Sequence, residues 1–218
     1  MMKQIYVSAQ TDHIESLFRS SPLQAVEELV WNALDADAKE VKVDLLTNPL
    51  GAVEAVRVIR QMNEYDLAMA EAPVHPQDIE GQAFVTAHCG TNVGVGEEVR
   101  NEFDFRNLFV KRCMNIAQPE MGRLGVSSFW NVCQMARAFH CKVMPHASIG
   151  VGVFLAASLQ VSAATQELPY HEYQHSVMDG TLRFLDTDMA CEKGFYTVPT
   201  GLGLGVEPRK ELFQYVMK

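Results

Sequence analysis

The sequence contains no CxxC pair. Its five cysteines, Cys89, Cys113, Cys133, Cys141 and Cys191, are odd in number and widely spaced. That pattern excludes a disulfide-stapled miniprotein and predicts reduced, mostly buried thiols in a cytoplasmic protein. Long apolar runs are missing too. The longest weakly polar stretch, Ile149 to Ala164, is short for a membrane span and carries Ser158 and Gln160, so it predicts a buried helix. No apolar segment follows Met1-Met2-Lys3-Gln4, and no signal peptide is expected. Basic residues are scarce, with 18 Lys and Arg against 27 Asp and Glu and a net charge of −9. This argues against nucleic acid as a partner, because its phosphates call for Lys and Arg. What is present, 218 residues of which 48% are hydrophobic, suffices for one medium domain or two small ones.

Strand-like and helix-like segments alternate along the chain. A helix near Leu23 to Ala36 follows Ser20-Ser21-Pro22, and a strand-like run, Glu40 to Leu46, follows the helix. A helix over Ala52 to Asn63 places Val53, Val56, Ile59 and Met62 at helical spacing. Further strands are expected over 67–70, 92–96, 115–118 and 142–145, with helices near 82–88, 103–112, 127–139 and 150–164. A last unit ends at Tyr170-His171-Glu172-Tyr173. Such alternation predicts parallel strands joined by helical crossovers.

Each expected strand closes on an ionisable residue: Asp44, Glu71, Glu97, Glu120, His146 and Glu172, spaced by 23 to 27 residues. In a parallel barrel the C-terminal strand ends converge on one face, where chemistry occurs. Three such carboxylates, Asp44, Glu71 and Glu97, suit a hard cation such as Mg²⁺. They are equally compatible with solvated carboxylates at the N-termini of the following helices, which favour negative charge. His146 with Glu120 on the neighbouring unit fits a general base whose tautomer a carboxylate fixes. A hydrogen-bonded core histidine would look the same. Glu172 stands where it could donate a proton or meet a developing oxyanion.

Six strings carry a family resemblance: AEAPVHPQDIEG (70–81), VGVGEEVRNEFDFR (93–106), QPEMGRLGVSSF (118–129), MPHASIGVGVFLAASLQVSAA (144–164), YHEY (170–173) and VPTGLGLGVEP (198–208). In order and at unit spacing, they resemble the enolase superfamily in its mandelate-racemase-like branch, over about residues 52 to 218. The resemblance implies that Glu71 and Glu97 are Mg²⁺ ligands and that Asp44 stands near the first ligand position. The family usually reads D-x-N there, whereas this chain reads Asp44-Leu45-Leu46-Thr47-Asn48. It further implies that His146 is the base of a dyad whose acid is Glu120, where Asp is usual, and that Glu172 supports the enediolate. Arg100 and Arg106 lie in a region similar to sugar-acid dehydratases and cycloisomerases and are candidates for binding substrate or for a plain surface role. The implied reaction is abstraction of the proton α to the carboxylate of a sugar acid, with Mg²⁺ as cofactor.

The first third resembles another family. LQAVEELVWNALDADAKEVKV (23–43) is similar to the N-box of the gyrase, chaperone and histidine-kinase (GHKL) ATPases. There Asn32 would hold Mg²⁺ and Glu28 would activate water, and the two share a helix face at i, i+4. The expected D-x-G-x-G does not follow; Arg60-Gln61-Met62-Asn63 stands in its place.

The expected architecture is therefore α/β, a partial (β/α) TIM-type barrel of enolase type lacking the N-terminal capping domain and the first barrel strands. Its parts are a helix–strand segment at 1–43, the partial barrel at 44–175 and a C-terminal return segment at 176–218. The two resemblances meet between about Lys42 and Arg60, which reads as a fusion or mis-joined gene. Open sheet edges would invite pairing with another copy of the chain, giving a homo-oligomer. Without a cap to exclude water, weak or lost activity is expected. The alternatives are a non-catalytic oligomerising fragment and an ATP-binding module.

Overall fold

The structure is a computed structural model that describes residues 51–147 and 150–215. These belong to one compact unit, Asn48–Lys218. The helix and strand expected before residue 47, with Glu28, Asn32 and Asp44, lie outside the described residues.

Helix α1 (Ala52–Met62) turns Val56 and Ile59 inward, as its spacing predicts, together with Ala55, whereas Val53 of the same spacing is 73% exposed. Strand β1 (Ala70–Glu71) leads to α2 (Ile79–His88), which starts where the Asp78 carboxylate accepts the Gly81 N–H at 2.9 Å. Strand β2 (Val93–Val95) leads to α3 (Glu102–Val110), capped by Asn101, which accepts the Phe103 and Asp104 N–H groups at 3.1 and 2.9 Å. Then come β3 (Ile116–Ala117), α4 (Met121–Ala138), β4 (Lys142–Val143) and α5 (Val153–Ala164). The four strands pair in parallel in the order β1-β2-β3-β4, with Glu71 opposite Gly94, Val95 opposite Ala117, and Ala117 opposite Val143. Parallel neighbours cannot be joined by a tight hairpin, so a helix fills each crossover. The result is an α/β arc of a TIM-type barrel with its strand C-termini on one side.

Two apolar clusters hold the helices to this arc. Val85 of α2 and Val93 of β2 pack with Ala55, Val56 and Ile59 of α1. Phe105 and Phe109 of α3 pack with Phe129 and Val132 of α4, Val143 of β4, and Ala157 and Val161 of α5. A third cluster joins Leu155 and Leu159 of α5 to Met178 of α6 (His175–Leu182) and to Met189. Beyond α6 the chain turns antiparallel: β5 (Leu185–Thr187) pairs with β8 (Val206–Pro208), and β6 (Ala190–Glu192) with β7 (Phe195–Thr197). No helix among the described residues is long and apolar enough to cross a membrane.

Three expectations need correction. Helix α4 carries an unexpected first turn from Met121, separated from the run expected near Ser127 by a break at Gly125 (φ 70°, ψ 168°) that a residue with a Cβ rarely adopts. Helix α5 begins at Val153 rather than Gly150, because Gly152 at its N-cap is left-handed (φ 52°). The last unit has no strand before Glu172. The Val143 N–H donates to Glu167 O at 3.0 Å and the Glu172 N–H to Pro145 O at 3.2 Å. By the parallel pattern these bonds set Val143 opposite Leu168 and Pro145 opposite His171, two residues against three, which breaks the ladder register, and Pro169 has no N–H to give.

Gly96 makes one requirement of this packing testable. Its φ is +138°, and a Cβ there would lie 2.6 Å from Phe105 Cζ and 3.1 Å from Gln118 O. Gly96→Ala is expected to lower stability by about 1–3 kcal/mol. Gly180→Ala, in helix α6 with nothing within 4 Å of the added carbon, should instead raise it by about 0.5–1 kcal/mol. Urea midpoints of both chains check the pair.

Candidate active site

The C-terminal ends of the strands place the polar residues. Glu71 is the last residue of β1, and Glu97 stands two residues beyond β2. Glu120 and His146 follow β3 and β4 and form an isolated parallel bridge, so the sheet's register carries on into the site. The His146 N–H donates to Pro119 O at 3.1 Å, which sets the main chain under the imidazole.

His146 sits at the centre of this group. Its Nδ1–H donates to Glu120 Oε2 at 3.1 Å. Its Nε2 faces Glu97 Oε2 at 3.0 Å and Glu172 Oε2 at 3.8 Å. The side chains of His146 and Glu120 are only 15% and 12% exposed, whereas that of Glu97 is 36% exposed, so the pair is the sheltered part of an open site. The carboxylate on Nδ1 fixes the tautomer and leaves Nε2 to take up a proton. Once there, that proton faces the Glu97 and Glu172 carboxylates. Arg123 pairs with Glu120 at 3.1 Å and with Glu98 at 3.6 Å. The hydrogen bond to Glu120 pushes the guanidinium above its ordinary value.

Glu71 is engaged differently. Its carboxylate accepts the Nε2–H of Gln118, a side chain 1% exposed. Gln118 reaches it across Gly94, where a Cβ would lie 2.6 Å from Gln118 Oε1. Glu71 and Glu97 are carboxylate oxygen donors on adjacent strand ends, a donor chemistry that fits Mg²⁺. Among the described residues, no group of three or more His, Cys, Asp or Glu is disposed to hold a metal ion. The third expected ligand, Asp44, is outside the description. Arg100 is exposed in the loop after Glu97 and Arg106 is exposed on α3.

The structure brings His146, Glu120, Glu172 and Glu97 together and sets Glu71 one strand away, whereas the sequence reading grouped Glu71 with Glu97 and Asp44. That reading passed over Gln118, Arg123 and the groups behind Glu172. Arg123 had a signal, since i, i+3 from Glu120 on a helix puts the two side chains in reach. Gln118 had a weaker one, as a polar residue closing an apolar strand within Q-P-E.

Behind Glu172 lies a buried relay. Ser158 Oγ and His171 Nε2 are 2.8 Å apart, and His171 Nδ1–H donates to Glu172 O at 2.9 Å. Burial pulls the His171 imidazole below its ordinary value near 6.5, more than the bond to Glu172 raises it. The unfolded chain then takes up this proton at a higher pH than the folded one. The resulting stability is complete above about pH 6.5 and is lost as pH falls from there through the lower folded value. The urea midpoint is expected to drop with pH in that window, and to drop less in His171→Gln. Burial likewise pushes the Cys113 and Cys133 thiols up to about 11, so these free cysteines are inert packing groups.

Comparison with known proteins agrees with this geometry. The family described as "Enolase C-terminal domain-like" matches residues 21–212. The match runs through Glu28 and Asn32 as well as the barrel arc. A D-xylonate dehydratase from Haloferax volcanii is 28% identical over 156 residues, covering 70% of this chain and 37% of that protein. A crystal structure of an enolase superfamily member from Agrobacterium tumefaciens is 38% identical with a TM-score of 0.74, covering 78% of this chain and 44% of that one. A candidate isomerase from Sinorhizobium meliloti is 47% identical with a TM-score of 0.74, covering 76% of this chain and 44% of that structure. The chain spans about two-fifths of the length of the curated relatives it matches. With a family match over most of its length and a parallel arc that carries its polar residues at the strand ends, the chain belongs to the enolase C-terminal domain-like family.

Proposed function

We propose that the site abstracts the proton α to the carboxylate of a sugar acid, the step shared by dehydratases, racemases and cycloisomerases. The observation that carries this reading is the His146 imidazole, bound by Glu120 on Nδ1 and faced by Glu97 and Glu172 on Nε2. The names of the relatives, D-xylonate dehydratase and 3,6-anhydro-α-L-galactonate cycloisomerase among them, supply the substrate class.

In this reading His146 Nε2 is the base and Glu120 keeps it in the accepting tautomer. Glu172 holds or returns a proton on the same side, and Arg100 and Arg106 meet the polar groups of the substrate. Glu71 and Glu97, with Asp44, would hold Mg²⁺. When bound, the ion supplies a Lewis acid for the substrate carboxylate. Loss of a β-hydroxyl or reprotonation then sets the product. Turnover by this chain alone is expected to be slow.

The test is ¹H NMR of candidate aldonates in D₂O with Mg²⁺ and the full chain. Slow, Mg²⁺-dependent loss of the α-proton signal is expected. Mn²⁺ binding followed by electron paramagnetic resonance should weaken about tenfold or more in Glu97→Gln, and this readout does not depend on turnover. No exchange with any aldonate, together with unchanged Mn²⁺ binding in Glu97→Gln, would sink the proposal.

A further inference from the structure

Glu172 lies in a stretch with neither helix nor strand, from 165 to 174, yet it is held as firmly as a residue in a sheet. Its N–H donates to Pro145 O at 3.2 Å. Its carboxylate accepts the Ala147 N–H at 2.7 Å, which keeps Oε2 within 3.8 Å of His146 Nε2. Its main-chain carbonyl accepts two side-chain donors, Tyr196 O–H at 2.8 Å and His171 Nδ1–H at 2.9 Å. A carbonyl oxygen has two lone pairs, and both are used.

We propose that Tyr196 and His171 are positioning residues that fix Glu172 by its main-chain carbonyl, so that hairpin β6–β7 sets where this carboxylate stands beside His146. The inference rests on the reading of Glu172 as part of the proton-transfer group.

Each half of the clamp is itself held. Nδ1 of His171 carries the proton given to the carbonyl, so Nε2 is left as an acceptor for the Ser158 O–H. Ser158 is 1% exposed on α5, so the ring is tied to the barrel side. Tyr196 belongs to β7, 24 residues further along the chain. Its ring meets the edges of His171 at 5.4 Å and Tyr173 at 5.8 Å, the two residues that flank Glu172. The aromatic contacts set the ring's place, and the hydroxyl does the holding. Burial also raises the Tyr196 phenol, which keeps it a donor.

The experiment uses amide hydrogen exchange by NMR on the ¹⁵N-labelled full chain. Tyr196→Phe keeps the ring and removes only the hydroxyl. His171→Gln moves the side-chain nitrogen to the Nε2 place, and His171→Asn keeps one at the Nδ1 place. Exchange at the Ala147 and Glu172 amides is expected to quicken about fivefold in Tyr196→Phe and in His171→Gln, the effect of losing one hydrogen bond. The Val132 amide, in the core of α4, should stay within about twofold, and His171→Asn should restore slow exchange. Unchanged exchange at Ala147 in Tyr196→Phe overturns the clamp. So does equal quickening at Ala147 and Val132, or a His171→Asn chain no slower than His171→Gln. Because the readout is not turnover, quickened exchange confined to these amides upholds the clamp even in a chain that leaves every aldonate untouched.

Discussion

In a His146→Ala chain, loss of the α-proton signal of an aldonate in D₂O should slow by a factor of about 10² to 10⁴, the range that a positioned general base contributes. That is about 3–5 kcal/mol of barrier. The size of the effect follows from what the imidazole has around it. Glu120 on Nδ1 fixes the accepting face, and Glu97 and Glu172 stand ready for the charge that develops on Nε2. Among the described residues no nearby side chain has the same combination, since the other groups within reach are carboxylates already committed to His146, Arg123 or the Ala147 amide. Glu120→Gln should give a smaller loss in the same assay. An amide can accept at Nδ1–H through its oxygen, or donate to Nδ1 through its nitrogen and push the proton onto Nε2, where it blocks the base. Equal rates in the parent and His146→Ala chains would place the base elsewhere.

The second large effect concerns the core. Phe129→Ala should lower stability by about 3–5 kcal/mol, a large fraction of the roughly 5–15 kcal/mol that holds a domain folded. Phe129 is fully buried on α4, in the cluster that joins Phe105 and Phe109 of α3 to Val143 of β4. Removing its ring opens a gap in a cluster shared by α3, α4, α5 and β4, and close-packed neighbours collapse only partly into it. Phe103→Ala on α3, where the ring is 63% exposed, should change stability by no more than about 0.5 kcal/mol. Urea melts of the three chains, compared at equal slope, check the contrast. Similar losses in both variants would mean that the α3–α4 cluster is not the core described here.

Beyond their sizes, the two effects meet at one element. Helix α4 carries Phe129 on its buried face and begins directly after Glu120. Arg123, in its first turn, pairs with that glutamate. The positive-φ break at Gly125 separates the short turn that serves the site from the long run that serves the core. A single chain segment therefore links the site, through Glu120 and Arg123, to five buried residues of the main cluster, Met121, Phe129, Val132, Cys133 and Ala136.

Much of this was legible in the sequence, because local chemistry repeats with the unit. Apolar runs followed by one polar residue mark strand ends, and helical spacing of Val56 and Ile59 marks the inward face of α1. The strand-end rule alone brought His146, Glu120 and Glu97 together, because parallel strands in sequential order must finish on the same side. The rule reached Glu172 for the wrong reason: the residue is in the site, but no strand delivers it. The start of α5 was misplaced at the left-handed Gly152, and the turn before Gly125 was missed, since a glycine in the sequence does not disclose its φ.

What the sequence by itself determined is the alternation of strands and helices and the polar residue at each strand end, both set by interactions between near neighbours along the chain. What only the tertiary structure decided is how those residues are held. Gln118 reaches Glu71 from 47 residues away, and Tyr196 reaches the Glu172 carbonyl from 24. Such hydrogen bonds leave no periodic trace, because their partners are brought together by the sheet register and by the packing of a distant hairpin.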